Sequence, residues 1–205
     1  MHGAGIMPFM ARAALVGGAK AIRANGEDIA TICNAVDLPV IGINKRVLPG
    51  FDVFITPEFE DMEFVAGSGA HIAAFDATAR ARPGSVSLEE LVHAARLKFP
   101  ELLLMADIST LQEGMFAAAL GVDIIATTLS GYTPYTMGAM LPNIALVGAL
   151  RRETDVPIVA EGGIATPAQA AQCLRAGAWA VTVGGAITRP HEIAGRFVKI
   201  MREEG

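Results

Sequence analysis

Little in this sequence points toward disulfides, metals, membranes or nucleic acid. Only two of its 205 residues are cysteine, Cys33 and Cys173. That excludes a disulfide framework and leaves no cysteine pair at metal-ligand spacing. Each lies in an apolar helical stretch, so both are expected as small buried core residues, and the expected compartment is the cytoplasm. The four histidines, His2, His71, His93 and His191, have no spacing that suits a metal triad. They are read as surface or packing residues, and no metal is expected. No apolar run reaches the roughly 20 residues that span a bilayer, so no membrane partner is expected. The opening Met1–Gly5 lacks the basic start and apolar stretch of a signal peptide. Lys and Arg number 16 against 21 Asp and Glu, and no basic cluster stands out, so nucleic acid is not an expected partner. There is no glycine-rich dinucleotide fingerprint and no P-loop.

What is present is apolar and repetitive. Apolar residues make up 52% and charged residues 18% of the chain, which excludes a disordered polymer. A chain of this length is expected to fold as one domain, residues 1–205. Four segments share the pattern of a helix end, a glycine, a small residue and a β-rich run. They are led by Gly18, Gly69, Gly121 and Gly177, at intervals of 51, 52 and 56 residues. Each glycine sits where a helix C-cap requires a left-handed residue. A second series interleaves with the first, opening on Pro39, Pro100 and Pro157 at intervals of 61 and 57. Proline is harmless at a strand start. Between these runs Ser87…Glu90, Thr110…Glu113 and Thr166…Gln169 have capping-box spacing, and Pro167 takes a first helical position.

Short apolar strands alternating with helices predict a parallel sheet covered on its faces. Seven strands are visible, four in one series and three in the other. The missing member falls before Met1. We therefore expect a (β/α)8 TIM barrel that lacks its first strand in this sequence, the chain beginning in the turn and helix at Ile6–Val16. The alternative is an open seven-stranded sheet.

In such barrels the active site lies at the carboxyl ends of the strands. Those ends are Arg23, Lys45, Asp76, Asp107, Thr127-Thr128, Glu161 and Gly184-Gly185. A lysine at the rim of an apolar barrel is partly desolvated, so Lys45 is a candidate base; alternatively it snorkels or pairs with a carboxylate. Glu161 ends an apolar strand, where it can hold a sugar hydroxyl, orient Lys45, or serve as a structural ion-pair partner. Gly162-Gly163 and Gly184-Gly185 follow the last two strands, where these barrels bind phosphate. Glycine lets backbone amides approach an anion, although turns use such pairs too.

These residues resemble a known family. The segments Ala21–Gly26, Pro39–Arg46, Val53–Pro57, Asp76–Pro83, Met105–Thr110, Thr127–Thr133, Ile158–Gly162 and Val183–Pro190 are similar to the bacterial N-acetylmannosamine-6-phosphate 2-epimerases of sialic acid catabolism. The resemblance runs along the whole chain. It implies epimerisation at C2 between N-acetylmannosamine 6-phosphate and N-acetylglucosamine 6-phosphate, without a cofactor. It implies Lys45 as catalytic acid/base and Glu161 as its partner. It suggests that Arg23 and Asp107 contact the sugar and that the two glycine pairs hold the phosphate, with Asp76 and Thr128 as further substrate-binding candidates. Members of that family begin with a strand ending in a Ser-Cys-Gln type motif. This sequence lacks the motif and also departs from the pattern over residues 49–60. Two other readings remain: a non-catalytic, truncated barrel that binds a phosphosugar, and a different phosphate-binding barrel enzyme. A homodimer is expected, because Ile193, Phe197, Ile200 and Met201 form a packing stripe on the last helix, although such a stripe commonly joins its own core.

Overall fold

A computed structural model of the protein describes residues 5–204. The readings of His2 and of the opening residues 1–4 lie outside the described residues. Seven strands form one parallel sheet in chain order: β1 (Ile22–Asn25), β2 (Val40–Ile43), β3 (Ile72–Asp76), β4 (Leu103–Asp107), β5 (Ile124–Ala126), β6 (Ile158–Glu161) and β7 (Ala180–Thr182). Helices alternate with them: α1 (Met7–Val16), α2 (Asp28–Cys33), α3 (Phe59–Gly67), α4 (Leu88–Lys98), α5 (Leu111–Ala119), α6 (Ile144–Glu153), α7 (Pro167–Arg175), the short α8 (Gly185–Thr188) and α9 (Pro190–Glu203).

The sheet is curled. Arg23 on β1 approaches Glu161 on β6 to 3.2 Å, whereas a flat sheet would separate those strands by five spacings of about 4.8 Å each. Among the described residues no pairing joins β7 to β1. The fold is thus seven strands of a (β/α)8 barrel with an open seam, and not a doubly wound sheet.

Strand residues alternate between two apolar layers, as the two-residue period requires. Val40, Ala73, Phe75, Leu104, Ala106, Ile125, Ile158 and Ala160 face outward and pack with helix residues such as Ile29, Met62, Val65, Leu91 and Leu150. Ile41, Ile43, Ile72, Ala74, Met105, Ile124, Ala126 and Val159 face inward with Ile55 and Leu129. The same alternation carries Arg23, Asp76, Asp107 and Glu161 to the inner side at the barrel mouth. At outward-facing Gly42 an added Cβ would lie 2.7 Å from both Ala70 Cβ and Val65 Cγ1, so only glycine lets these elements close on β2.

The local signals behave as read. Capping boxes close α4 at Ser87/Glu90, α5 at Thr110/Glu113 and α7 at Thr166/Gln169. The four repeat-leading glycines all have positive φ. A fourth capping box, Glu58/Asp61 on α3, has a carboxylate where sequence reading looks for Ser or Thr, and so escaped it. Three expectations are corrected. β1 runs two residues past Arg23, to Asn25. Cys173 is buried but Cys33 is only half-buried, its thiol meeting the Gly69 carbonyl at the helix edge. The stripe on α9 joins no core, since none of the helix's residues is buried. His71, His93 and His191 lie at the surface.

Candidate active site

Three strands converge at the barrel mouth through one guanidinium. Arg23 grips Asp107 with two parallel bonds, Nη2 to Oδ2 at 2.6 Å and Nη1 to Oδ1 at 3.2 Å. This fork-to-fork geometry matches a planar cation to a planar anion. Nη1 also lies 3.2 Å from Glu161 Oε2. That contact has the distance of an ion pair but not the angle of a hydrogen bond, so Oε2 is buried with no hydrogen-bond donor. The Thr128 hydroxyl donates to Asp107 Oδ1 at 2.6 Å, the same oxygen that accepts from Arg23 Nη1.

Charge in this cluster follows from burial. Desolvation opposes the Arg23 cation, but Asp107 and then Glu161 outweigh it and hold the group charged. Glu161 is pushed above the usual carboxylate range, first by burial and then by Asp107, against the pull of Arg23 and Lys45. Lys45 lies beyond the end of β2, within the field of all three. Desolvation, then repulsion from Arg23, lowers its pKa below that of a free lysine, while Glu161 and Asp107 resist. The residue as a whole is exposed. Its Nζ lies 5.9 Å from the centre of the Phe54 ring. No ion pair within 4 Å is formed by Lys45 among the described residues, so the structure disfavours the simple ion-pair alternative.

The glycine pairs follow β6 and β7 as expected. Gly162 and Gly163 both have positive φ, +107° and +69°, and at Gly163 an added Cβ would come within 2.4 Å of Leu141 Cβ. Gly184 is the N-cap of α8, and Gly185 its first residue. Among the described residues none of these four amides donates to a turn, loop or cap carbonyl.

Asp76 stands apart. Its Oδ2 meets Arg80 Nη2 at 2.6 Å, and its Oδ1 accepts from the Thr78 hydroxyl and amide at 2.6 and 3.0 Å. Its carbonyl accepts from Arg82. This buried network braces the loop after β3, and Asp76 joins none of the Arg23 contacts. A cavity of about 600 Å³ beside that loop, lined by Thr78, Arg80, Arg82, Glu113 and Phe116 among others, holds none of the predicted site residues.

Two features escaped sequence reading. Glu113 caps α5 and also receives Ser109, Ala79 and the Tyr135 hydroxyl, tying together the loops after β3, β4 and β5. Asn25 reaches the backbone of Lys45. Glu113 was legible only as a cap, and Asn25 only as part of a family motif. Among the described residues no group of three or more His, Cys, Asp or Glu could hold a metal ion.

The chain is similar to known proteins along nearly all of its length. Residues 7–203 match the family described as "Putative N-acetylmannosamine-6-phosphate epimerase". A protein of Caldanaerobacter subterraneus subsp. tengcongensis is 48% identical over 99% of this chain and 86% of its own length. One of Enterobacter sp. (strain 638) is 49% identical over 97% and 86%. Both are called "Putative N-acetylmannosamine-6-phosphate 2-epimerase". The solved N-acetylmannosamine-6-phosphate 2-epimerase of Clostridium perfringens superposes with a TM-score of 0.92 at 42% identity, over 97% of this chain and 86% of that one. Thiamine phosphate pyrophosphorylase of Pyrococcus furiosus, at 18% identity and a TM-score of 0.60 over 87% and 79%, shares the fold alone. With nearly its whole length matched by the family and by relatives of more than 40% identity, the chain belongs to the N-acetylmannosamine-6-phosphate epimerase family.

Proposed function

We propose that the protein interconverts N-acetylmannosamine 6-phosphate and N-acetylglucosamine 6-phosphate by moving the proton at C2. The observation that carries this reading is the cluster of Arg23, Asp107 and Glu161 at the mouth, with Lys45 held in its field at a lowered pKa. The C2 proton is acidic only beside a carbonyl, so the ring opens first. Neutral Lys45 removes the proton, and the electron pair passes into the carbonyl oxygen. Arg23 and other donors at the mouth stabilise that charge as it develops. Glu161, on the far wall and with a raised pKa, returns a proton to the opposite face. In the reverse direction the two groups exchange roles. The amides of Gly162, Gly163, Gly184 and Gly185 hold the phosphate and fix the sugar over Lys45. Thr128 acts through Asp107. Asp76 serves as a loop brace, not a substrate contact.

Two free thiols fit a cytoplasmic location, and no helix among the described residues is long and apolar enough to cross a membrane. A homodimer is supported by α9, which leaves Phe197, Ile200 and Met201 exposed as an uncovered apolar stripe.

The test is proton NMR of the purified protein with N-acetylmannosamine 6-phosphate in D2O. Loss of the C2 proton signal with appearance of the gluco epimer is expected, and Lys45→Ala abolishes both. Phosphosugar binding without C2 exchange would identify a non-catalytic binding barrel instead.

A further inference from the structure

The backbone of Lys45 is clamped from two sides. On one side Lys45 bridges Ile55 in antiparallel fashion. The flanking bonds run from the Arg46 amide to the Phe54 carbonyl at 3.0 Å and from the Thr56 amide to the Asn44 carbonyl at 2.8 Å. In that pattern Lys45 is the non-hydrogen-bonded position, so its own amide points away, toward β1. There the ladder has just ended. Asn25 pairs with Ile43, and the Gly26 amide donates to the Ile43 carbonyl at 2.9 Å. A continuing parallel strand would next offer the Gly26 carbonyl to the Lys45 amide. Gly26 instead takes φ +58° and turns the chain into α2. The Asn25 side chain fills the vacant place: its Oδ1 accepts from the Lys45 amide at 2.9 Å.

We propose that Asn25 is a positioning residue for the epimerisation, its side-chain carbonyl replacing a main-chain acceptor so that Lys45 is held at fixed height over the barrel mouth. The inference rests on the reading of Lys45 as the acid/base and adds to it how that lysine is aimed. Lys45 has four rotatable side-chain bonds and no ion-pair partner among the described residues, so the aim of Nζ rests on the placement of its Cα and on the Phe54 ring 5.9 Å away. A reacting group displaced by about 1 Å loses on the order of a hundredfold in rate.

The test is a set of kinetic measurements on Asn25→Ala, Asn25→Asp and Lys45→Ala, with circular dichroism melts confirming folding. Asn25→Ala lowers kcat by about tenfold to a hundredfold and leaves KM within a factor of about two, because uniform substrate binding is untouched. Asn25→Asp keeps the acceptor and restores kcat at alkaline pH. Its added negative charge favours the lysine ammonium, so the acid limb of the kcat profile moves to higher pH. That limb is set against the existing field of Arg23, Arg189, Glu161 and Asp107 around Lys45. Three results overturn the proposal: unchanged kcat in Asn25→Ala, a rise in KM alone, which would make Asn25 a sugar contact, or Asn25→Asp as impaired as Asn25→Ala. If Lys45→Ala retains turnover, the assignment of Lys45 itself fails and the positioning role falls with it. Should Asn25→Ala melt early, Asn25→Asp alone decides, through the recovery of alkaline kcat and the shift of its limb.

Discussion

Replacing Arg23 by methionine removes the one cation that lies between two carboxylates. Asp107 is fully buried, and the Glu161 side chain is 17% exposed. Breaking a buried ion pair by deleting one partner typically costs about 3–5 kcal/mol, because the remaining charge is stranded. Here two carboxylates lose the same partner, which argues for the upper part of that range. Lys45 nearby and the open mouth offset some of it, which argues for the lower. The expected loss at pH 8 is therefore about 3–4 kcal/mol. Its pH dependence is the sharper test. Glu161 already has a raised pKa, and Arg23 is the strongest influence holding it down. Without Arg23 that pKa climbs further. An acid whose folded pKa lies above its unfolded value is destabilising when ionised, and the penalty disappears as pH falls below the folded pKa. The stability gap between wild type and Arg23→Met should thus be widest at pH 8 and narrow toward pH 5. Urea unfolding followed by circular dichroism at four or five pH values measures it. A gap below about 1 kcal/mol, or one independent of pH, would refute the view that Arg23 neutralises a buried pair.

Three further outcomes are expected. The acid limb of the wild-type kcat profile should report Lys45 below the pKa of a free lysine, activity falling as pH drops through it and the base becomes protonated; a limb at the free-lysine value contradicts the desolvation argument. Gly163→Ala forces a Cβ to within 2.4 Å of Leu141 Cβ at a φ of +69°, so it should cost about 1–3 kcal/mol in denaturation and raise KM for the phosphosugar. Phe197→Asp on α9 should shift the sedimentation coefficient from dimer to monomer without unfolding the barrel, since α9 contributes no buried residue.

Much of this protein was legible residue by residue. Three capping boxes and four positive-φ glycines stand where spacing put them, since both signals are local hydrogen-bond and steric requirements that depend on neighbours within a few residues. Asp107 and Glu161 were legible as strand-end residues; their inward direction was decided by the two-residue period of the curled sheet. The Asp76 side chain could not be read in the same way. It shares the inward register, yet Thr78, Arg80 and Arg82 capture it, and a loop's return path is not encoded in strand periodicity. The α9 stripe had the spacing of a core helix, but whether a stripe meets its own core depends on where the helix is delivered.

The sequence by itself determined the alternation of strands and helices, the order of the sheet, the residues at its carboxyl edge and the family to which the chain is similar. Those are set by short-range periodicity, caps and glycines. Only the tertiary structure decided that Arg23 spans from β1 to Asp107 and Glu161, that Glu161 Oε2 is left without a donor, and that Asn25 completes the backbone of Lys45. Each of these depends on residues between 20 and 138 positions apart: Asn25 and Lys45 meet by the pairing of β1 with β2, and Arg23 meets Asp107 and Glu161 by the curl of the sheet. Curl is a collective property of strand twist and helix packing, and no single segment carries it.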